Sequence, residues 1–115
     1  MDGARPKFDL EDRTFDFAKR VREYVQKFKA NGLVSSDVDQ VVRSSGSVGA
    51  NYIEANESLG NKDFAMRIKI CRKEAKETIY WLRLLGDGED AEGESLINEA
   101  RELMNIFAAI YRKIQ

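Results

Sequence analysis

The chain has 115 residues, 19 of them basic and 20 acidic, so its formal charge is −1 and no global field steers it towards nucleic acid or a membrane. Histidine is absent and Cys71 is the one cysteine, which excludes a Ser-His-Asp triad, a Cys-His pair, a CxxC redox centre, a disulfide framework and a His- or Cys-rich zinc site within one chain. The length suits one domain with a single hydrophobic core.

Residues 1–10 read as an N-terminal arm and residues 11–115 as one domain. The opening MDGARPKFDLEDR has no apolar h-region, and no apolar run approaches a membrane span. The expected setting is the reducing cytoplasm, without membrane contact. After Pro6 no proline interrupts the chain, and the punctuation falls at Asn31-Gly32, Gly60-Asn61 and Gly86-Asp87-Gly88. Between these marks the apolar residues follow a helical period.

The first helix is expected from about Asp12 to Asn31, with Phe15, Ala18, Val21, Val25 and Phe28 as its apolar stripe and Gly32 as its stop. The second starts near Ser35 or Ser36, where Ser36 and Asp39 resemble a capping box. Its stripe is Val38, Val41, Val42, Ser45, Val48, Gly49, Tyr52, Ile53 and Leu59. The third starts beside Asn61 and buries Phe64, Ile68, Cys71, Ala75, Ile79, Leu82 and Leu85. The fourth begins between Asp90 and Ser95 and buries Leu96, Ala100, Leu103, Ile106, Phe107, Ile110 and Ile114. Four amphipathic helices on short connections imply an all-α fold, an antiparallel up-down-up-down four-helix bundle.

The stretch RSSGSVGANYIEANE, residues 43–57, is rich in Ser and Gly. A P-loop needs a lysine after its second glycine, and none follows here; a dinucleotide fingerprint needs a preceding strand. A nucleophilic serine has no histidine to take its proton. Val38, Val41, Val42, Val48, Tyr52 and Ile53 hold one helical phase through the stretch, so it reads as a helix that keeps small residues for close packing. Arg43, Ser47, Asn51 and Glu54 fall on the other face. They form either a solvated surface or a polar seam against another subunit.

On the third helix, Met66, Ile70, Tyr80, Trp81 and Leu84 lie on a flank away from the core stripe. They are the expected oligomer or partner contact, unless a wide core stripe or the arm with Phe8 and Leu10 covers them. A basic strip of Lys62, Lys69, Arg72, Lys73, Lys76 and Arg83 lies opposite the core. Of these, Lys69, Arg72, Lys73, Lys76 and Arg83 are the candidate phosphate contacts, with Tyr80 available to stack on a base. The plainer reading pairs the strip with Glu74 and Glu77, or with the acidic fourth helix. Residues 62–85 hold seven bases against three acids, and residues 87–115 seven acids against three bases. Cys71 reads as a small buried hydrophobe.

VVRSSGSVGANYIEANES followed by KDFAMRIKICRKEAKETIYWLRLL resembles the 23S rRNA intervening-sequence protein family of four-helix bundles. Arg43, Ser47, Val48, Asn51, Glu54, Phe64 and Glu77 fall on positions of its pattern, and FDLEDRTFDFAKRV resembles the start of its first helix. Gly49 stands where proline is common in that pattern, Tyr52-Ile53 replaces a small pair, and Ala55 replaces glycine. The resemblance implies an all-α bundle that assembles as a homo-oligomer, a ring-like homopentamer. It extends to the accessory bundles of diversity-generating retroelements, which bind RNA and a reverse transcriptase through a basic surface.

The expected function is a non-enzymatic oligomeric scaffold that binds RNA, or a nucleic-acid-associated protein, through the basic surface of the third helix, with no cofactor or metal. The alternative is a protein-interaction module without nucleic-acid binding. An enzymatic reading would need a carboxylate-only metal centre around Glu54 and Glu57, and the Glu-x-x-His pairs of di-iron bundles are missing.

Overall fold

The computed structural model describes residues 9–30, 35–86 and 89–114. Five helical segments follow in order: α1 (Leu10–Tyr24), α2 (Gln26–Ala30), α3 (Ser35–Asn56), α4 (Asn61–Gly86) and α5 (Ala91–Lys113). The first two form one arm of the bundle, and the other three are the second, third and fourth helices expected from the sequence. The Asn31-Gly32 stop and the arm residues 1–8, Phe8 among them, lie outside the described residues. Leu10, assigned to the arm by the sequence, is the first residue of α1.

The helix starts have local causes. Asp9 caps α1, its Oδ1 accepting the Asp12 N–H at 2.9 Å, and Asp90 caps α5, its Oδ1 accepting the Gly93 N–H at 2.6 Å. Glu11, Asp12, Glu92 and Glu94 then sit in first turns, where the exposed N–H groups favour negative charge. The expected single first helix is divided at Val25. There the Phe28 N–H donates to the Val25 carbonyl at 3.1 Å, an i+3 bond that tightens the turn between α1 and α2.

Bonds between helices fix the topology. Glu11 meets Asn56 and Arg22 meets the Val42 carbonyl across α1 and α3, while Asn51 meets Arg67 and Arg43 meets Glu77 across α3 and α4. Arg13 meets Glu99 and Lys27 meets Asp90 across the first arm and the start of α5. In every pair one number rises as the other falls, so neighbours run antiparallel. Because α1 lies beside α3 and α5, and α4 lies beside the same two, the order is up-down-up-down.

Phe17, Val21, Val41, Val48, Ile68, Leu96, Leu103 and Phe107 fill the centre without solvent exposure. Burying each such side chain contributes about 1.5–3 kcal/mol. The core stripe of α4 is the expected one with Trp81 packed beside it; on α5 Leu96, Ala100, Leu103, Phe107 and Ile110 are in place, with Ile97, Met104 and Tyr111 joining them, while the expected Ile106 and Ile114 do not pack on the core. The first helix is turned from its expected phase: Phe17 and Tyr24 are buried, and Phe15 is 69% exposed. Val21, Val25 and Phe28 fit both phases; the choice falls at Thr14, whose hydroxyl donates to carbonyls within its own helix, Leu10 and Glu11, and so enters the core without an unpaired polar atom. On α3, Val38, Val41, Ser45 and Val48 are buried, whereas Ile53 is 51% exposed and Leu59 lies beyond the helix in open solvent.

Candidate nucleic-acid interface

The small-residue stretch is the middle of α3, and it packs on two sides. Ser44 is fully buried and accepts the Thr78 hydroxyl of α4 at 2.8 Å, and that hydroxyl also lies 2.8 Å from the Glu74 carbonyl. Gly49 faces α1, where Thr14 leaves no room for a methyl group. Close approach on both flanks explains why poor helix formers are kept here.

Three of the four polar residues expected on the outer face of α3 turn to α4. Arg43 reaches across to α4, with Nη1 3.3 Å from Glu74 Oε1 and Nη2 on Glu77 Oε2. Asn51 donates to the Ser47 hydroxyl at 2.9 Å and accepts from Arg67 Nη1 at 3.0 Å. Arg43, Ser47 and Asn51 are thus a seam between α3 and α4 of one chain, while Glu54 stays exposed and outside it. A guanidinium on a long stem spans the gap between neighbouring helices, which a view of α3 alone does not reveal. The partners missed by the sequence reading, Ser44, Arg67 and Thr78, share a signal with it. Ser44 stands three residues before Ser47 and Thr78 four after Glu74, on two consecutive helices, and Arg67 stands two turns before Glu74.

Arg43 decides the charge of α4. Glu74 and Glu77 are the two carboxylates in the middle of that helix, and Arg43 engages both. Glu77 also accepts the Trp81 indole N–H at 2.9 Å. Its carboxyl is held below the usual range, most by that indole, with Arg43 adding to the effect against the opposing influence of burial. The acids of α5 face the first arm instead of α4. Glu99 and Glu102 hold Arg13 at 2.7 and 2.6 Å, Glu92 meets Arg20 at 3.4 Å, and Asp90 meets Lys27 at 2.5 Å. The expected neutralisation of α4 by the fourth helix is therefore not what the fold provides.

What remains on α4 is an exposed row of cations. Lys69, Arg72 and Lys76 make no ion pair among the described residues, and Lys73 has one carboxylate contact, Glu74 at 4.0 Å. Lys69 Nζ lies 5.6 Å from the centre of the Tyr111 ring. Arg83, the last of the candidate phosphate contacts, is exposed near the end of the helix.

The two surfaces distinguished in the sequence coincide. At about 100° per residue, positions 66, 69, 70, 73, 76, 80 and 84 fall on one outer arc of α4. Met66, Lys69, Ile70, Arg72, Lys73 and Lys76 line one shallow depression, and Met66, Tyr80 and Leu84 are each more than half exposed. Trp81 is only partly exposed, packs against the core and stacks edge-on with Tyr80 at 5.1 Å, so Tyr80 is the accessible aromatic.

The Cys71 thiol is fully buried and pushed up to about 12 by that burial, so it carries no thiolate at neutral pH. Glu54 and Glu57 are exposed, and among the described residues no three carboxylate or thiol groups gather where a metal ion could sit. No described helix is long and apolar enough to cross a membrane.

Comparison with known proteins agrees with the fold. A Bacteroides thetaiotaomicron protein of unknown function from the S23 ribosomal protein family superposes with a TM-score of 0.82 at 30% identity, over 90% of this chain and 98% of its own. No curated protein matches the sequence. The sequence profile of the 23S rRNA-intervening sequence proteins matches residues 7–109, nearly the whole bundle, and the chain belongs to that family.

Proposed function

We propose that the protein is a non-catalytic RNA-binding scaffold that holds a phosphate backbone along the outer face of α4. The observation that carries this reading is the charge pairing: Arg43 engages Glu77 and shares Glu74 with Lys73, and Glu92, Glu99 and Glu102 of α5 pair with the first arm. Lys69, Arg72, Lys73 and Lys76 would contact phosphates, Arg83 would extend the track, and Tyr80 offers a ring for a base to stack on.

Because the apolar and basic residues share one arc, a subunit seated on Met66, Ile70, Tyr80 and Leu84 would bury Lys69 and Lys73 too. The reading gives this face to RNA and leaves self-association to another surface.

Titration of a fluorescent RNA hairpin against increasing salt tests it. Four phosphate contacts predict a slope of log K on log salt of about −3, and each Lys→Gln change at 69, 73 or 76 should flatten it by about 0.7. Absence of binding at low salt, or a slope indifferent to these changes, overturns the reading. A protein-binding module is the second reading, favoured by the exposure of Met66, Tyr80 and Leu84. It predicts no RNA affinity and a protein partner lost on Tyr80→Asp.

A further inference from the structure

The depression on the outer face of α4 does not end at Met66 and Lys69. Those two side chains also border a second pocket of about 510 Å³, set between the start of α4 and the end of α5. Met66, Tyr111 and Ile114 give this pocket apolar walls, and Asn61 and Lys62 stand at its polar edge. The Asn61 side chain makes no hydrogen bond among the described residues, so its amide is available as both donor and acceptor.

Tyr111 packs against the core, and Lys69 Nζ lies 5.6 Å from the centre of its ring. That ring face is therefore open to the pocket and covered only by the end of a flexible, exposed lysine. Lys69 makes no ion pair among the described residues, so its amine gives up no carboxylate by leaving the ring. A base stacks on an aromatic ring more strongly than an exposed ammonium holds to it, and a phosphate attracts the freed ammonium.

The placement of the rings also selects the kind of strand. Lys69, Lys73 and Lys76 cover about 10 Å along α4, with Tyr111 beside the first of them and Tyr80 one turn past the last. A duplex keeps its bases inside and could reach neither ring. An unpaired strand turns its bases outward while its phosphates follow the lysines.

We infer that the pocket between the start of α4 and the end of α5 receives one unpaired base of the bound RNA, which replaces Lys69 Nζ on the Tyr111 ring and sends that amine to the adjoining phosphate. Met66 and Ile114 would flank the base and Asn61 would meet its polar edge. The inference rests on the RNA reading of α4 and narrows it to single-stranded RNA.

Fluorescence anisotropy with two labelled RNAs of equal length tests it, one an oligouridine and the other its abasic counterpart. Both carry the same phosphates, so they differ only in having bases to stack. Oligouridine should bind at least about fivefold more tightly. Tyr111→Leu, which keeps an apolar contact with the core, should remove that advantage and leave abasic affinity and the salt slope unchanged; Tyr111→Phe should retain it. Irradiation of an oligomer containing 5-iodouridine should join it to Tyr111. Equal binding of the two RNAs with a salt slope that Lys73→Gln flattens overturns this inference and leaves the phosphate track standing. An advantage that survives Tyr111→Leu overturns it as well. Binding of neither RNA at low salt overturns the RNA reading and this inference together.

Discussion

Gly46 and Gly49 both turn towards α1, yet a methyl group would meet different neighbours at the two positions. At Gly49 it would fall 2.8 Å from Thr14 Oγ1 and 3.1 Å from Thr14 Cβ, atoms held by the helix and by the hydroxyl's bonds to Leu10 and Glu11. At Gly46 it would meet only the tip of Arg22, at 3.0 Å, which can swing into solvent. Alanine gains up to about 1 kcal/mol over glycine in a helix, whereas overpacking costs about 1–3 kcal/mol. Gly46→Ala should therefore be stabilising by as much as about 1 kcal/mol, and Gly49→Ala destabilising by about 1–2 kcal/mol, in urea melts at low micromolar protein. Equal effects at the two positions would show that Thr14 does not set the approach of α1 to α3. From sequence Gly49 falls on the apolar stripe of α3 and Gly46 does not; that both meet α1, one at Thr14 and the other at the tip of Arg22, is decided by the neighbouring helix.

At the scale of elements, Arg43 joins α3 to α4 and sets the charge of the α4 surface as well. The Glu74 side chain is 9% exposed, so removal of its partner leaves a carboxylate with little water. Arg43→Ala should cost about 1–3 kcal/mol, less than for a fully buried pair because Arg43 itself is half in solvent. Glu74→Gln in the same chain should recover part of the loss, measured by urea unfolding. The substitution should also lower RNA affinity in the hairpin titration, since Glu77 becomes free to pair with Lys73 one turn away. Unchanged RNA affinity would mean that Arg43 does not keep the lysines available. The identities of Arg43, Glu74 and Glu77 were plain in the sequence, but which cation would take which carboxylate depended on the register between two helices.

For the whole molecule, the absence of histidine leaves no side chain that ordinarily changes charge between about pH 5 and 8. Two carboxylates are held low in the folded state, Glu77 chiefly by Trp81 and Asp90 chiefly by Lys27, with the Gly93 N–H next. A depressed folded pKa adds stability that is complete above the unfolded value, near 4, and is lost as pH falls through the folded value. Unfolding free energy from urea titrations should stay flat between about pH 5 and 8 and drop below about pH 4. Glu77→Gln with Asp90→Asn should lower the plateau and soften the acid drop. A drop of the same depth in that variant would place the acid sensitivity elsewhere.

The sequence by itself determined the helices, most of the core and the catalytic chemistries that are excluded. Periodicity is a property of one helix, and the missing histidine is a property of the composition. The core of α4 could be read this way because its apolar stripe admits one phase; on α5 apolar residues also stand beside the stripe, so Ile97, Met104 and Tyr111 join the core in place of Ile106 and Ile114. The first helix could not, because Phe15 and Phe17 compete for the same interior and Thr14 hides its polarity in a local bond. Tertiary structure alone decided where the charges went. Ion pairing depends on which helix faces are neighbours and at what register, so Arg43 rather than a lysine holds Glu74 and Glu77, and α5 spends its acids on the first arm. That allocation leaves Lys69, Arg72 and Lys76 on α4 without an ion pair among the described residues, and the close approach of α1 to α3 leaves a groove on the bundle, neither of which any single helix contains.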